Sequence, residues 1–284
     1  MASHNRRELT LACLASLRSQ RVADVDLRVL VVDDGSTDGT GDAIRTLFPE
    51  VLVVDGSGSL FWGGGMRLGI ARALTEGADV LWLANDDVVF EPDALQRSLD
   101  VVMRPGRPWA VGAVCKPGSA ETTYSGFVRV GRRRPRLAQI DPTDQPRPIV
   151  MGPANSLVIW ADAYVAVGGL DRRFPHGYGD FDLTRRAIAA GFPLLLVPGH
   201  VGSCAANPPP SWRDPGVSLA ARFADLHSIR NRPFRLAVRY TLRHYGVVGV
   251  ALVARPYVEI VSSWALRRVR WLRRRRPTPR TPAR

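Results

Sequence analysis

Hydrophobic positions along this 284-residue chain fall into two patterns: amphipathic stretches with a helical period, and short unbroken apolar runs. Residues 8–19 bring Leu9, Cys13, Leu14 and Leu17 onto one helical face. Residues 27–32 form a short β-branched run, which predicts a buried strand. Residues 33–40 predict a turn that opens a helix, with Ser36 or Thr37 placed to cap it. A second strand is predicted at 50–54, a helix growing out of a glycine cluster at 63–77, a third strand at 78–84 and a helix at 92–103. Strand, turn and helix repeated at this spacing predict an α/β fold with a mostly parallel sheet and helices on both faces. Ligands of such folds bind at the carboxyl ends of the strands.

The pattern changes after residue 115. Residues 116–150 combine a basic stretch at 131–136 with a Pro- and Asp-rich stretch at 141–148, which predicts a surface hairpin and loop. A strand at 149–158, a helix near 162–167, an amphipathic helix at 180–191 and a short buried strand at 193–197 follow. Four prolines within 207–215 mark an irregular boundary, so we divide the chain into a domain at 1–215 and an extension at 216–284. Helices are predicted at 220–229 and 234–245. Residues 246–266 are mostly apolar but contain Arg255, Pro256 and Glu259, and central charges argue against a spanning helix. A position in a membrane interface fits the same stretch.

Charge sharpens this division. The net charge is +13, yet the stretch from Arg230 onward carries fifteen Arg against one acid, Glu259. The body is therefore close to neutral and the tail strongly basic. Three scattered cysteines, Cys13, Cys115 and Cys204, make no disulfide framework and fit a reducing, cytoplasmic setting.

Three acidic segments carry the candidate chemistry. Asp33-Asp34-Gly35-Ser36-Thr37-Asp38 follows a strand, where a carboxylate can accept from a nucleobase N–H or a ribose hydroxyl; a capped strand-to-helix turn uses the same residue types. Asn85-Asp86-Asp87 follows the next buried strand but one. Adjacent carboxylates repel there unless a hard divalent cation relieves them, though a solvated turn is the plainer alternative. Gly179-Asp180-Phe181-Asp182-Leu183 opens a helix. Its acids either complement the helix dipole or supply, in Asp180, a general base for an incoming hydroxyl.

Taken in order, these segments resemble the inverting glycosyltransferases of family two, which have the GT-A fold. Asp33 to Asp38 resembles that family's nucleotide-binding signature, Asn85-Asp86-Asp87 its metal motif, and residues 179–183 with Arg186 its base-bearing element. Residues 62–70 are similar to its glycine-rich donor segment, and 228–232 to an Arg-Asn element of bacterial members that build rhamnose-containing surface polysaccharides. Ala2 to Arg6 resembles the end of the first strand and its nucleotide loop; the strand itself is absent by this reading, which favours a start upstream of Met1. Gly179 stands where an acid usually precedes the base, and Arg67 where Asn is common.

The resemblance implies a nucleotide-sugar donor, with a dTDP- or UDP-sugar bound by Ser3, Asn5, Asp33, Asp34, Gly64, Gly65, Arg67, Asn85 and Asp86. It implies Mg²⁺ or Mn²⁺ held by Asp87, with His200 at a place where some members put a ligand. Asp180 would deprotonate an acceptor hydroxyl on a cell-surface glycan or polyprenyl-linked acceptor. Rhamnose is the sugar the resemblance favours. A non-catalytic nucleotide- or glycan-binding protein of this fold is the alternative, motivated by Gly179 and the missing strand. The tail has three readings: a solvated end, a nucleic-acid binder, or an anchor on an anionic membrane surface. The apolar stretch beside the Arg cluster favours the membrane over nucleic acid, and so a peripheral position at the inner face of the cell membrane.

Overall fold

In the computed structural model, which describes residues 1–131, 136–228 and 234–274, strands and helices alternate through a first unit, Met1–Ala206, and helices make up a second, Asn207–Arg284. The first unit begins with β1 (Ala2–Ser3), α1 (Arg7–Arg18), β2 (Leu30–Asp33), α2 (Thr40–Leu47), β3 (Leu52–Asp55), α3 (Phe61–Thr75), β4 (Val80–Ala84), β5 (Val89–Phe90) and α4 (Ala94–Val102). It continues with β6 (Trp109–Cys115), β7 (Thr122–Tyr124), β8 (Phe127–Val130), β9 (Arg136–Gln139), β10 (Arg147–Pro148), β11 (Ser156–Trp160), α5 (Ala161–Ala166), α6 (Gly179–Ala189) and β12 (Leu194–Ser203).

The strands β1-β2-β3 form a parallel sheet, and a larger sheet has the path β10-β12-β6-β11-β4, with β5 on β12 and β7 on β6. This larger sheet is mixed, which corrects the expectation of a mostly parallel one. Only the β6–β12 pairing in it is parallel, and β11 runs antiparallel between β4 and β6. The chain reaches β11 through the hairpin β8–β9 and loops rather than a crossover helix, and apolar periodicity carries no information on strand direction. Helices cover both faces as expected. Leu14 and Leu17 of α1, Ile44 of α2 and Leu95 and Leu99 of α4 pack into one core; Met66 and Ile70 of α3 and Leu183 and Ala187 of α6 pack into the other.

The first strand is present, which corrects its expected absence, but as two residues: Ala2 pairs with Val32 and Ser3 with Asp33. The Met1 ammonium donates to the Leu30 carbonyl at 2.9 Å. Beyond this short strand, towards the amino ends of β2 and β4, lies a cavity of about 880 Å³ walled by Leu27, Val29, Leu30, Met66, Leu81 and Leu83. Residues 27–29 lie outside β2, which begins at Leu30.

Two further boundaries moved. The strand expected at 149–158 starts at Ser156, because Ile149 and Val150 donate instead to Leu194 and Phe127, and Pro153 has no N–H to give. The strand expected at 193–197 runs on to Ser203. Its register shifts between Leu196 and His200, where Gly199 takes φ +64°, so the bulge absorbs Pro198 and Gly199 without ending the strand.

The second unit contains α7 (Leu219–Leu226), α8 (Phe234–Tyr245) and α9 (Val250–Arg274), and Arg222 of α7 is 1% exposed. Its guanidinium donates to the carbonyls of Trp212 and Ile260 and to the Ser263 hydroxyl, so hydrogen bonds rather than a carboxylate satisfy it. The expected Arg-Asn element at 228–232, all but Ser228, and the last Arg cluster beyond residue 274 lie outside the described residues.

Helix α6 is pinned by one ion pair. Asp182 is fully buried and accepts from Arg186 Nε at 2.8 Å, one helical turn on. The same guanidinium donates to the carbonyls of Val167 and Gly169, just past α5. Arg186→Ala removes this ion pair from a buried carboxylate and the donors from two carbonyls, so it is expected to cost about 3 kcal/mol. For a unit of this size that lowers the melting temperature by roughly 6–12 °C. A melting temperature within 1 °C of wild type in calorimetry would refute the brace.

Candidate active site

The carboxyl ends of β2 and β4 open towards one edge, and each of the three acidic segments lies there. After β2 the chain turns at Gly35, where φ is +70° and a Cβ would come 2.8 Å from the Gly58 backbone. Asp33 Oδ1 accepts from the Ser36 amide at 3.1 Å; its other oxygen faces Gly41, whose missing side chain leaves the room. Asp34 is spent differently. Its two oxygens accept from the amides of Gly58 and Phe61, at 2.8 and 2.9 Å, and so fix the loop that leads into α3.

The loop after β1 closes over this turn. Asn5 donates through its amide to Ser36 Oγ, and its side-chain oxygen accepts from the Thr37 amide at 2.7 Å. His4 Nδ1 is 2.7 Å from the Asp34 carbonyl. Ser3 is buried and its hydroxyl pairs with Thr10 of α1, so it braces this loop from beneath.

The second acidic segment follows β4. Asp86 is 4% exposed, and burial, its largest influence, pushes its pKa above the ordinary carboxylate value against the pull of Arg6. Arg6 Nη1 bridges Asp86 Oδ1 at 2.8 Å and Asp87 Oδ2 at 2.9 Å. The remaining oxygens, Asp86 Oδ2 and Asp87 Oδ1, are buried without a hydrogen-bond partner. Two orphaned hard oxygens fit a divalent cation, although among the described residues no group of three or more His, Cys, Asp or Glu is arranged to hold one. Two protein carboxylates with the rest of the shell left to phosphates and water is the usual arrangement for Mg²⁺. Cys204, at the end of β12, lies against this pair. Burial, then Asp87, pushes its thiol up to about 12, so it stays protonated.

Trp62 joins the segments. Its indole donates to Asn85 Oδ1 at 2.9 Å, and its ring would lie 3.6 Å from a Cβ at Gly179. A Cβ at 179 would therefore make ordinary contact with this ring. Next to it, the Gly63 amide donates to the Pro175 carbonyl at 2.7 Å, and a Cβ at Gly63 would clash with Phe174 O at 2.4 Å. Gly65 packs on Ala2, where a Cβ would stand 2.6 Å from the Ala2 side chain, and Gly64 on Leu60. The glycine cluster thus lets the start of α3 approach β1 and the 174–175 segment closely.

Asp180 opens α6 and is half-buried. Its carboxylate accepts from its neighbour Phe181 at 2.8 Å and from Ala154 at 3.3 Å, and burial, outweighing those bonds, raises its pKa. Asn155 O accepts from the Asn85 amide, and Ser156 pairs with Ala84, so the 154–155 backbone carries Asp180 to the edge that holds Asn85 to Asp87. Arg67, on α3, has a buried Nη1 without a partner, and burial lowers its pKa. His200 is engaged elsewhere, with Nε2 at 2.8 Å from Thr122 Oγ1.

Two residues at this edge escaped the sequence reading. Arg6 meets its acids across 80 residues of chain, which no local pattern reveals, and Trp62 was visible only as part of the glycine segment. A third feature also needed the structure. Asn5, Phe61 and Tyr178 all take positive φ, between 51° and 61°, at or just before the starts of α1, α3 and α6. Non-glycine residues so placed are uncommon and are held there only when their surroundings dictate it.

The architecture is matched by solved glycosyltransferases. GalNAc-T7 with UDP, GalNAc and Mn²⁺ superposes with a TM-score of 0.58 at 12% identity, over 72% of this chain and 42% of that one. The mannosyltransferase PcManGT of Pyrobaculum calidifontis, in complex with GDP-Man and Mn²⁺, gives 0.52 at 16% identity, over 95% of this chain and 78% of that one. The fold is GT-A. The model of Glycosyl transferase family 2 matches residues 1–155, and the chain belongs to that family. A curated relative, the N-acetylglucosaminyl-diphospho-decaprenol L-rhamnosyltransferase of Mycobacterium tuberculosis, is 28% identical over 250 residues, covering 76% of this chain and 79% of its own.

Proposed function

We propose that this glycosyltransferase moves rhamnose from a dTDP-sugar, with inversion, to a hydroxyl of a polyprenyl-diphosphate-linked glycan. The mycobacterial relative, by its name, acts on an acceptor of that chemistry. The observation that carries the reading is Asp180, a half-buried carboxylate of raised pKa on the edge that bears the Asp86–Asp87 pair.

Asp33 accepts from the base, and Asn5 and Asp34 hold the loops around it. Asn85 and Asp86 face the ribose and sugar, while Gly64 and Gly65 serve indirectly, by letting the start of α3 pack against Leu60 and Ala2 beside the donor. Asp87, helped by Asp86, would hold Mg²⁺ or Mn²⁺; His200, already bonded to Thr122, has no part in that shell in this reading. The cation supplies positive charge where negative charge develops on the departing diphosphate. Arg67 offers its unpaired guanidinium nitrogen to a diphosphate or sugar oxygen. Asp180 takes the acceptor's hydroxyl proton as that oxygen bonds to the anomeric carbon. The bond from that carbon to the diphosphate oxygen breaks on the opposite face, and the nucleoside diphosphate leaves.

Transfer from dTDP-rhamnose to a polyprenyl-diphosphate-linked N-acetylglucosamine tests this. Wild type is expected to transfer, and Asp180→Asn to lose about 10²- to 10⁴-fold in kcat. A base must be ionised, and burial raises this one. Wild-type kcat should therefore fall as pH drops through a pKa above the ordinary aspartate value of 3.8. Undiminished transfer by Asp180→Asn would remove the base, and nucleotide binding without transfer by wild type would favour the binding-protein alternative.

The second unit supplies a membrane-surface partner in this reading. No helix among the described residues is long and apolar enough to cross a membrane. On α9, Leu252, Val258, Val261, Trp264 and Leu266 are exposed, and Arg267 and Arg268 follow at once. Apolar residues beside cations suit an interface with anionic headgroups. The full chain is expected to float with anionic vesicles at low salt and to be released at high salt; failure to float would exclude the anchor.

A further inference from the structure

The contact between Arg6 and the acid pair has a consequence for how the site fills. Arg6 is an exposed residue, and its side chain retains 42% of its accessible surface. A single nitrogen, Nη1, lies within 2.9 Å of one oxygen of each acid. The other oxygen of each acid is buried and unpartnered, and Asp86 is more than nine-tenths buried. Arg6 therefore already serves the two carboxylates as their shared counter-cation, and it neutralises them only in part. A guanidinium and a divalent ion within a few ångströms of each other in a partly desolvated site repel strongly. One must yield, and the exposed arm is the one free to move.

We infer that Arg6 is a built-in counter-cation that competes with the divalent metal for Asp86 and Asp87. It leaves the acids when metal arrives together with a diphosphate, whose oxygens then receive it. This rests on the proposed donor site and deepens it, naming Arg6 as a positioning residue that makes metal and nucleotide binding depend on each other. With Arg6 on the acids, metal alone binds weakly. A diphosphate gives the displaced guanidinium a new anion that it can grip with two parallel hydrogen bonds. Metal binding is accordingly tighter when the nucleotide is present, and nucleotide binding tighter when the metal is present.

The test is Mn²⁺ binding followed by the EPR signal of free Mn²⁺, on the full-length protein, with and without dTDP. In wild type, saturating dTDP is expected to tighten Mn²⁺ at least tenfold. Arg6→Ala should bind Mn²⁺ alone at least tenfold more tightly than wild type and show a dTDP enhancement smaller than wild type's, what remains coming from direct coordination of the ion by the diphosphate. Arg6→Lys, which keeps a charge but not the fork, should stay near wild type for Mn²⁺ alone. Removing Arg6 also leaves two buried carboxylates without their cation. Should Arg6→Ala be poorly folded without metal, Mn²⁺ alone should raise its melting temperature more than that of wild type. Equal or weaker binding of Mn²⁺ alone by Arg6→Ala, with wild type binding normally in dTDP, overturns the competition while leaving the donor site intact. No Mn²⁺ binding by wild type even with dTDP overturns the metal assignment on which it rests.

Discussion

Two adjacent carboxylates at the end of a buried strand cannot both be ionised without positive charge close by. Asp86 and Asp87 impose that condition on this chain, and much of the site follows from it. Arg6 meets it through the loop after β1, which ties the first residues of the chain to the end of β4. That tie places the Asn5 loop over the turn at Asp33, since Asn5 and Arg6 are neighbours and Asn5 is bonded to Ser36 and Thr37. Charge balance and loop geometry are thus one problem with one solution.

Around that centre, the other conspicuous residues divide into those that build the edge and those left open at it. Asp34, Ser3, Asp182, Arg186 and the glycines of α3 are committed to backbone amides, neighbouring side chains or close packing. Asp180, Arg67 and the two orphaned oxygens of Asp86 and Asp87 keep unspent capacity. Capacity left unspent in a folded chain costs stability, because a buried polar atom without a partner forfeits its hydration. Its concentration near the carboxyl ends of β2 and β4, with three residues of positive φ close by, is what the proposed ligand site would require.

Much of this was legible in the sequence. The ends of β2 and β4 are marked by apolar runs stopping at acids, and the helices by their period; α8 was placed to the residue. Strand direction was not legible, because an apolar run reads the same both ways, and β11 was therefore not recognised as antiparallel. The length of β12 was hidden by Pro198 and Gly199, which signal a turn unless a bulge absorbs them. The acids of the site could be named from spacing alone, yet their uses could not. Asp33 and Asp34 look alike in sequence, and only the Gly58 and Phe61 amides set Asp34 apart. Arg6 and Trp62 act across 80 and 23 residues of chain, distances over which sequence pattern is silent.

The central claim is that the carboxyl edge of β2 and β4 binds a nucleoside diphosphate through a cation on Asp86 and Asp87. Thermal unfolding of the full chain with a saturating dTDP-sugar, in Mn²⁺ and in EDTA, tests it most directly. A ligand at 100 times its dissociation constant adds about 2.7 kcal/mol to stability. The account predicts a rise in melting temperature of that origin in Mn²⁺ and little or none in EDTA. Equal stabilisation in EDTA, or none in either, would contradict it.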